Sequence, residues 1–310
     1  MEKEMEIYNT IGIVELIIKT YSFLKENIKE ILKLIFIMII VYALSFIVVV
    51  MGSLIISSGQ IIKNILACVI IMSLIGLIAF YLESIFISIL KHMTATWFLT
   101  GQKAKLKDSY RKIKSKKFKL FKSNLIKKII LYFFLLIHIS PYIVNFIGVI
   151  TRNHDYKFEN IVLNSFFNPT IVLIGFIFYI PCIYFGLRIA FNLESVIFND
   201  KLSMESIDDS MKVTKNKVLS LVSYYVLIMI FTKFITYGLL LFIEFLFVVP
   251  TIILSNLNIN ETFLITIGAI IFIFLIAIGL VLNSAIYVGE TIKFIDICRE
   301  KNLNTFLQNS

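Results

Sequence analysis

Three ionisable residues lie deep inside long apolar runs of the chain, where a charge is costly and is a candidate for function. We count inward from the end of each run that is predicted to face outside, at residues 65, 170 and 250. Glu83 and Arg188 then lie eighteen residues deep, and Lys233 lies seventeen. At about 1.5 Å per helical residue, all three reach a depth of roughly 26 Å. We therefore predict an intramembrane charge cluster in which Glu83 bridges Arg188 and Lys233.

Two interpretations of this cluster are open. A net positive centre facing a crevice would suit a small transporter or permease. In the structural interpretation, Arg188 and Lys233 extend their charges to the inner headgroups. Glu83 then pairs with a single partner, and this pair serves only helix packing. We take the structural interpretation as the leading one.

A second group of charges lies outside the apolar runs. Residues 91–128 contain 13 Lys or Arg residues and one acidic residue, Asp108, so this segment has a charge of +12 and the remaining chain −2. Basic side chains alternate with apolar ones, which is typical of a helix that contacts anionic lipid. Nucleic acid is the weaker alternative, because no recognition fold accompanies the segment. The predicted lipid-binding residues are Lys103, Lys105, Lys107, Arg111, Lys112, Lys114, Lys116, Lys117, Lys119 and Lys122.

Sequence motifs for catalysis are not found. The chain has no GxxxxGK[ST], HExxH or GxSxG pattern, and its three histidines are widely scattered. Cys68, Cys182 and Cys298 do not have the spacing of a metal site or a disulfide framework. We predict a protein without enzymatic activity, cofactor or metal. An intramembrane lipid-modifying enzyme is the weakest alternative.

The elements that must position these residues are membrane-spanning helices. Hydrophobic residues make up 59% of the chain, charged residues 16%, and the mean hydropathy is +0.91, which excludes a water-soluble domain of 310 residues. About 20 apolar residues are needed to cross a bilayer as a helix. Six runs meet that length, so we predict an all-α integral membrane protein with spans at about 33–56, 65–90, 129–150, 170–196, 222–249 and 262–289.

The distribution of Lys and Arg predicts the orientation. With the N-terminus inside, the cytoplasmic segments hold 25 of the 30 basic residues and the external loops hold three. Both termini are therefore expected in the cytoplasm. The abundance of Ile, Lys and Asn is typical of an AT-rich bacterial genome, which favours a bacterial cell membrane.

A short pattern recurs before each odd-numbered span. A hydroxyl residue, a bulky residue and a Lys four positions further on occur at 20–25, 109–114 and 210–215. Each pattern lies on a predicted cytoplasmic amphipathic helix; in the first helix, Val14, Ile17, Ile18, Tyr21 and Leu24 form the apolar stripe. We predict a single membrane domain over 1–310 with three helix-hairpin repeats at about 11–90, 103–198 and 203–289, and a cytoplasmic tail at 290–310.

This layout resembles the bacterial six-span proteins grouped around the membrane domain found beside glycerophosphoryl diester phosphodiesterases, together with related uncharacterised families. The resemblance depends on the order of helices and on the pattern Asp209-Ser210-Met211-Lys212-Val213-Thr214-Lys215-Asn216. The pattern lacks the Trp often found there and the Gly that usually follows its Lys. No phosphodiesterase domain is present in this sequence, so that activity is not implied.

Together these features predict a non-enzymatic protein of the membrane. We expect an accessory or membrane-homeostasis role that engages anionic lipid at the inner leaflet, or support of a partner transporter. The alternative is a small permease whose site is formed by Glu83, Arg188 and Lys233, which are predicted to lie at the same depth.

Overall fold

The computed structural model describes residues 11–40, 43, 61–152, 169–255 and 261–300. Within these ranges every regular element is a helix and no strand occurs, which confirms the predicted all-α class for this part of the chain. The helices are α1 (Ile13–Glu26), α2 (28–40), α3 (Ile61–Thr100), α4 (Leu106–Lys114), α5 (Lys117–Arg152), α6 (Pro169–Arg188), α7 (Asn192–Asn199), α8 (Ser203–Thr214), α9 (Val218–Ser255) and α10 (Glu261–Glu300).

Four stretches among the described residues are long and apolar enough to cross a membrane: Ser73–Thr100, Pro169–Asn199, Val218–Ile235 and Ala277–Glu300. They overlap the predicted spans at 65–90, 170–196, 222–249 and 262–289. Most of the predicted span at 33–56 lies outside the described residues, and the one at 129–150 forms the second half of α5. Four such helices are compatible with a multi-pass membrane protein.

The outer surface of the long helices is apolar. Phe176 on α6 is 65% exposed, Leu136 on α5 62% and Phe234 on α9 78%. Large apolar side chains that are exposed together indicate an interaction surface. The exposed apolar surface of the described helices is compatible with a multi-pass membrane protein.

The tightly packed core lies at one end of these helices, where three short helices join them. Helix α1 packs against α10, α4 against α3, and α8 against α7. The core between them includes the fully buried side chains of Phe23, Leu90, Leu120, Phe191 and Phe294. The predicted charged and amphipathic segments thus meet at the same end of the bundle.

Helix α1 has apolar residues on its exposed side as well as on its packed side. Its buried face contains Leu16, Phe23 and Leu24, whereas Val14 and Ile18 of the predicted apolar stripe are 70% and 59% exposed. The predicted stripe therefore differs from the packed face, because apolar residues surround more of the helix than one contact needs. The exposed apolar side is suited to acyl chains at a membrane surface.

The hydroxyl residues of the recurring pattern are buried in all three short helices. Thr20 donates to the Leu16 carbonyl at 2.8 Å, Ser210 donates to the Arg188 carbonyl at 2.9 Å, and the Ser109 hydroxyl lies 3.1 Å from Nδ1 of His92. Ser109 and Ser210 thereby connect a short helix to the long helix that precedes it.

Candidate functional site

The structure does not bring Glu83, Arg188 and Lys233 together. Glu83 pairs with Lys128 on α5 at 3.5 Å, and both side chains are about one-third exposed. The Arg188 guanidinium lies 6.0 Å from the ring centroid of Tyr184, and Lys233 is exposed. Among the described residues, no ion pair joins Glu83 to either predicted partner. The predicted bridge is replaced by a pair with Lys128, the last residue of the basic segment 91–128.

A different set of charges is buried at the packed end of the bundle. Lys91 on α3 is 1% exposed and forms ion pairs with Glu194 on α7 and with Glu290 on α10, the latter at 2.6 Å. Glu194 is fully buried. Three helices that are far apart in the chain thus contribute one charge each to a single buried site, which we call the buried charge network.

The carboxylate oxygens of the buried charge network have different partners. Glu290 accepts a hydrogen bond from the Tyr225 hydroxyl at 2.5 Å through Oε1. Glu194 accepts one from Thr291 at 3.4 Å, also through Oε1. Its second oxygen, Oε2, is buried and has no hydrogen-bond partner in the described part of the chain. An unpaired carboxylate oxygen of this kind is costly unless it binds a proton, a cation or water.

Lys127 completes the charge balance. Its ammonium group donates to the Ala190 carbonyl at 3.0 Å and is close enough to Glu290 and Glu194 to interact with both electrostatically. Burial lowers the pKa of Lys127 below its ordinary value, and the Glu290 carboxylate opposes that shift. With Lys91 and Lys127 opposite two glutamates, the site is formally neutral.

A layer of uncharged polar side chains adjoins the network. The Asn192 side-chain amide donates to the Ser123 carbonyl at 3.2 Å and to its hydroxyl at 3.0 Å, and Ser123 is 2.7 Å from the Ser206 hydroxyl. Asn192 Oδ1 is buried and has no hydrogen-bond partner among the residues that the structure describes. The layer connects α5, α7 and α8, so the same end of the bundle is joined by polar contacts as well as by charges.

The buried charge network contains two carboxylates and two ammonium groups, which can bind charges and protons. Among the described residues, no group of three or more His, Cys, Asp or Glu side chains is placed to hold a metal ion. The lysines are held in ion pairs or by a carbonyl. The first consequence of the arrangement is structural, because each ion depends on the others for its neutralisation.

The predicted lipid-binding residues divide into two groups. Two of them, Lys116 and Lys119, are half-buried and turn towards Asp200 at 3.7 and 3.0 Å. The other eight are exposed, and none forms an ion pair with a described carboxylate: Lys103, Lys105, Lys107, Arg111, Lys112, Lys114, Lys117 and Lys122. We call these eight the basic surface.

Asp200 connects the end of α7 to the start of α5. It follows α7 in the left-handed backbone region, with a φ of 53°, which Asp and Asn tolerate better than most residues. The hydrogen bond from Lys119 lowers the pKa of the Asp200 carboxyl below its ordinary value. The contact therefore favours the ionised form of Asp200 in the folded protein.

We expect Asp200→Asn to lower the free energy of unfolding by less than about 1 kcal/mol, since the pair is exposed. Because the folded pKa is lowered, the contribution is fully present above the unfolded value of about 3.9 and is lost as the pH falls through the folded value. Thermal unfolding of both proteins between pH 3 and 7 measures this. The difference should be constant above about pH 5 and shrink as the pH falls below the unfolded pKa of about 3.9. A difference that persists at low pH would contradict the charge assignment.

Comparison with known proteins identifies no relative: no protein-family model, no curated protein and no solved structure is significantly similar to this chain. A function must therefore be inferred from the chain's own residues.

Proposed function

We propose that this is a non-enzymatic membrane protein that engages anionic lipid at the inner leaflet of a bacterial cell membrane, in an accessory or membrane-homeostasis role. The observation that carries the proposal is the basic surface, in which eight exposed Lys and Arg side chains lie within residues 103–122 without a carboxylate partner among the described residues. Such a concentration of uncompensated charge is unfavourable unless anions approach it.

The energetics favour a membrane surface as the source of those anions. Each Lys or Arg near an anionic leaflet contributes about 1 kcal/mol, so contact by half of the basic surface would contribute about 4 kcal/mol. Salt weakens the attraction. Tyr110 and Phe118 lie in the same segment and are 48% and 70% exposed, which lets them enter the headgroup region.

The proposed topology has both termini in the cytoplasm, six spans and three helix-hairpin repeats. Its support is that α1, α4 and α8 each pack at the same end of the bundle and that Thr20, Ser109 and Ser210 are all buried there. The resemblance to the phosphodiesterase-associated membrane domain, and a role beside a partner transporter, belong to the same proposal.

The experiment uses Trp97, the one tryptophan of the chain, as a fluorescence donor. In vesicles that contain dansyl-phosphatidylglycerol, energy transfer from Trp97 should exceed transfer to dansyl-phosphatidylcholine. Neutralising four members of the basic surface should remove more than half of that excess, as should 0.5 M NaCl. The substitutions are Lys103→Gln, Lys105→Gln, Lys112→Gln and Lys122→Gln.

The matched control neutralises four lysines elsewhere and should keep most of the excess: Lys29→Gln, Lys201→Gln, Lys212→Gln and Lys215→Gln. Equal transfer to both lipids in the wild-type protein, or equal losses in the two quadruple variants, would refute the role of the basic surface.

A permease is the second candidate, and the unpaired Oε2 of buried Glu194 favours it. A carboxylate beside a lysine and a second glutamate is a site that protonation would rearrange. In liposomes loaded with the pH indicator pyranine, proton flux that vanishes in Glu194→Gln would support the permease and contradict the accessory role. Absence of flux in the wild-type protein would contradict the permease.

A further inference from the structure

A large groove lies between α2, α3 and α4. Its volume is about 610 Å³, which is within the range of roughly 300–1,000 Å³ typical of ligand sites. One wall is a continuous apolar face of α3, and α2 forms the opposite wall. The apolar and aromatic side chains that line these two walls are Leu34, Ile37, Met38, Tyr81, Leu82, Ile85, Phe86 and Ile89.

Lysines line the same groove. Lys33, Lys107, Lys114 and Lys117 contribute to it, and Glu30 is the one carboxylate among its lining residues. Glu30 already pairs with Lys33 at 2.6 Å and accepts the Leu106 backbone N–H at 3.3 Å. Lys107, Lys114 and Lys117 are exposed and have no carboxylate partner in the described part of the chain. Three positive charges are therefore left uncompensated beside an apolar groove.

Helix α4 presents both kinds of group to the groove. Leu106, Tyr110 and Ile113 recur at spacings of four and three residues on the side that lines it, while Lys107 and Lys114 lie two helical turns apart along the same border. A ligand in the groove would thus meet apolar surface on its inner side and ammonium groups at the edge.

We propose that this groove binds one anionic phospholipid of the adjacent leaflet, with an acyl chain along residues 81–89 of α3 and the phosphate at Lys107, Lys114 and Lys117. The inference rests on the proposed function and names its specific lipid site. A soluble anion would leave the apolar walls in contact with water, and a zwitterionic lipid would leave the three lysine charges uncompensated. An anionic lipid satisfies both parts of the groove. The face over 81–89 is about 12 Å long, which suits part of an acyl chain.

Native mass spectrometry of the detergent-purified full chain tests this, with dioleoyl phosphatidylglycerol and dioleoyl phosphatidylcholine as probes. The wild-type protein should retain one phosphatidylglycerol at lipid concentrations at least tenfold below those needed for phosphatidylcholine. Ile85→Trp, which fills the groove from α3, should reduce that occupancy at least tenfold. Leu74→Trp is the matched control, because it adds the same side chain at a position that is 55% exposed and does not line the groove.

A second groove-filling variant keeps the test independent of a folding defect. Ile37→Trp acts from the opposite wall, where the side chain is already 52% exposed, and should also reduce occupancy. The triple variant Lys107→Gln, Lys114→Gln, Lys117→Gln should lose the preference for phosphatidylglycerol over phosphatidylcholine. Unchanged occupancy in both Trp variants, or an unchanged preference in the triple variant, would overturn the assignment.

Two further measurements identify the part of the lipid that is bound and separate this inference from the proposed function. Glycerol 3-phosphate in millimolar excess should not displace the bound phosphatidylglycerol; displacement would show a phosphate site without an acyl chain and overturn the proposal. The Lys103, Lys105, Lys112 and Lys122 quadruple variant should keep the single bound phosphatidylglycerol, even though it loses general enrichment of anionic lipid. Loss of the bound lipid in that variant would place it on the basic surface instead of in the groove.

Discussion

Lys91→Met should lower the free energy of unfolding by about 3–5 kcal/mol, because it removes one partner from a buried ion pair and leaves the other charges in place. Glu194 and Glu290 would remain buried with only Lys127 to compensate them. Methionine has a similar length and fills the same space, so the loss measures charge more than packing. The thermal unfolding midpoint in detergent, followed by size-exclusion chromatography, detects a change of this size.

An exposed pair provides the control for this substitution. Lys19 and Glu15 are 2.8 Å apart on α1 with side chains 36% and 55% exposed, so Lys19→Met should cost less than about 1 kcal/mol. Adding Glu194→Gln to Lys91→Met should recover part of the stability, since Glu290 would then face Lys127 alone. Equal effects of Lys91→Met and Lys19→Met would contradict a buried network.

Gly289→Ala should destabilise the packed end of the bundle by about 1–3 kcal/mol, a typical cost of overpacking. A Cβ at this position of α10 would overlap the Tyr224 hydroxyl and lie 2.6 Å from the ring atom Cζ. Tyr224 is fully buried and donates to the Ile286 carbonyl at 3.1 Å, so its ring cannot move aside without breaking that bond.

Gly186→Ala is the matched control for the glycine substitution. A Cβ there would lie 3.4 Å from the nearest Leu131 side-chain atom, which is ordinary contact. Since alanine favours helix over glycine by about 0.5–1 kcal/mol, this variant should be as stable as the wild-type protein or slightly more so. Thermal unfolding of the two variants side by side measures the difference. A Gly289→Ala protein as stable as Gly186→Ala would refute the close approach of α9 and α10.

The helical class could be predicted from the sequence because long apolar runs have few alternatives in a membrane. Run length also predicted the approximate positions of the four candidate spans. The packed face of α1 could not be predicted, since Ile17 and Ile18 are equally apolar and only the contact with α10 selects between them. Local pattern predicted the helix, and tertiary contact decided its orientation.

The buried charge network was missed because of where the predicted spans ended. Lys91 and Glu290 lie one residue beyond the expected ends at 90 and 289, and Glu194 lies two residues before the expected end at 196. The sequence did contain a signal for the network: a charged residue near the predicted cytoplasmic end of each even-numbered span. The pairing of those charges depends on how α3, α7 and α10 pack together, which a single sequence does not specify.

For Glu83, the sequence predicted partners on α6 and α9, whereas its partner in the structure is on α5. Equal depth in the bilayer suggested Arg188 and Lys233 as its partners, but depth says nothing about which helices are neighbours. In the structure α5 lies beside α3, and Lys128 reaches both Glu83 and the Phe80 ring, 4.5 Å from its centroid. A lysine from the neighbouring helix α5 therefore neutralises the carboxylate.

The buried charge network also imposes an order on biosynthesis. Glu194 follows Lys91 by 103 residues and Glu290 follows it by 199, so Glu290 is the last of the three residues that the ribosome adds. At about 5–20 residues per second, Lys91 lacks Glu290 for roughly 10–40 s. During that interval Lys91 and Lys127 have at most one of their two carboxylate partners, Glu194. Assembly of this end of the bundle therefore waits for α10. A nascent chain that stops before α10 has two buried lysines, Lys91 and Lys127, and only one glutamate, Glu194, to neutralise them.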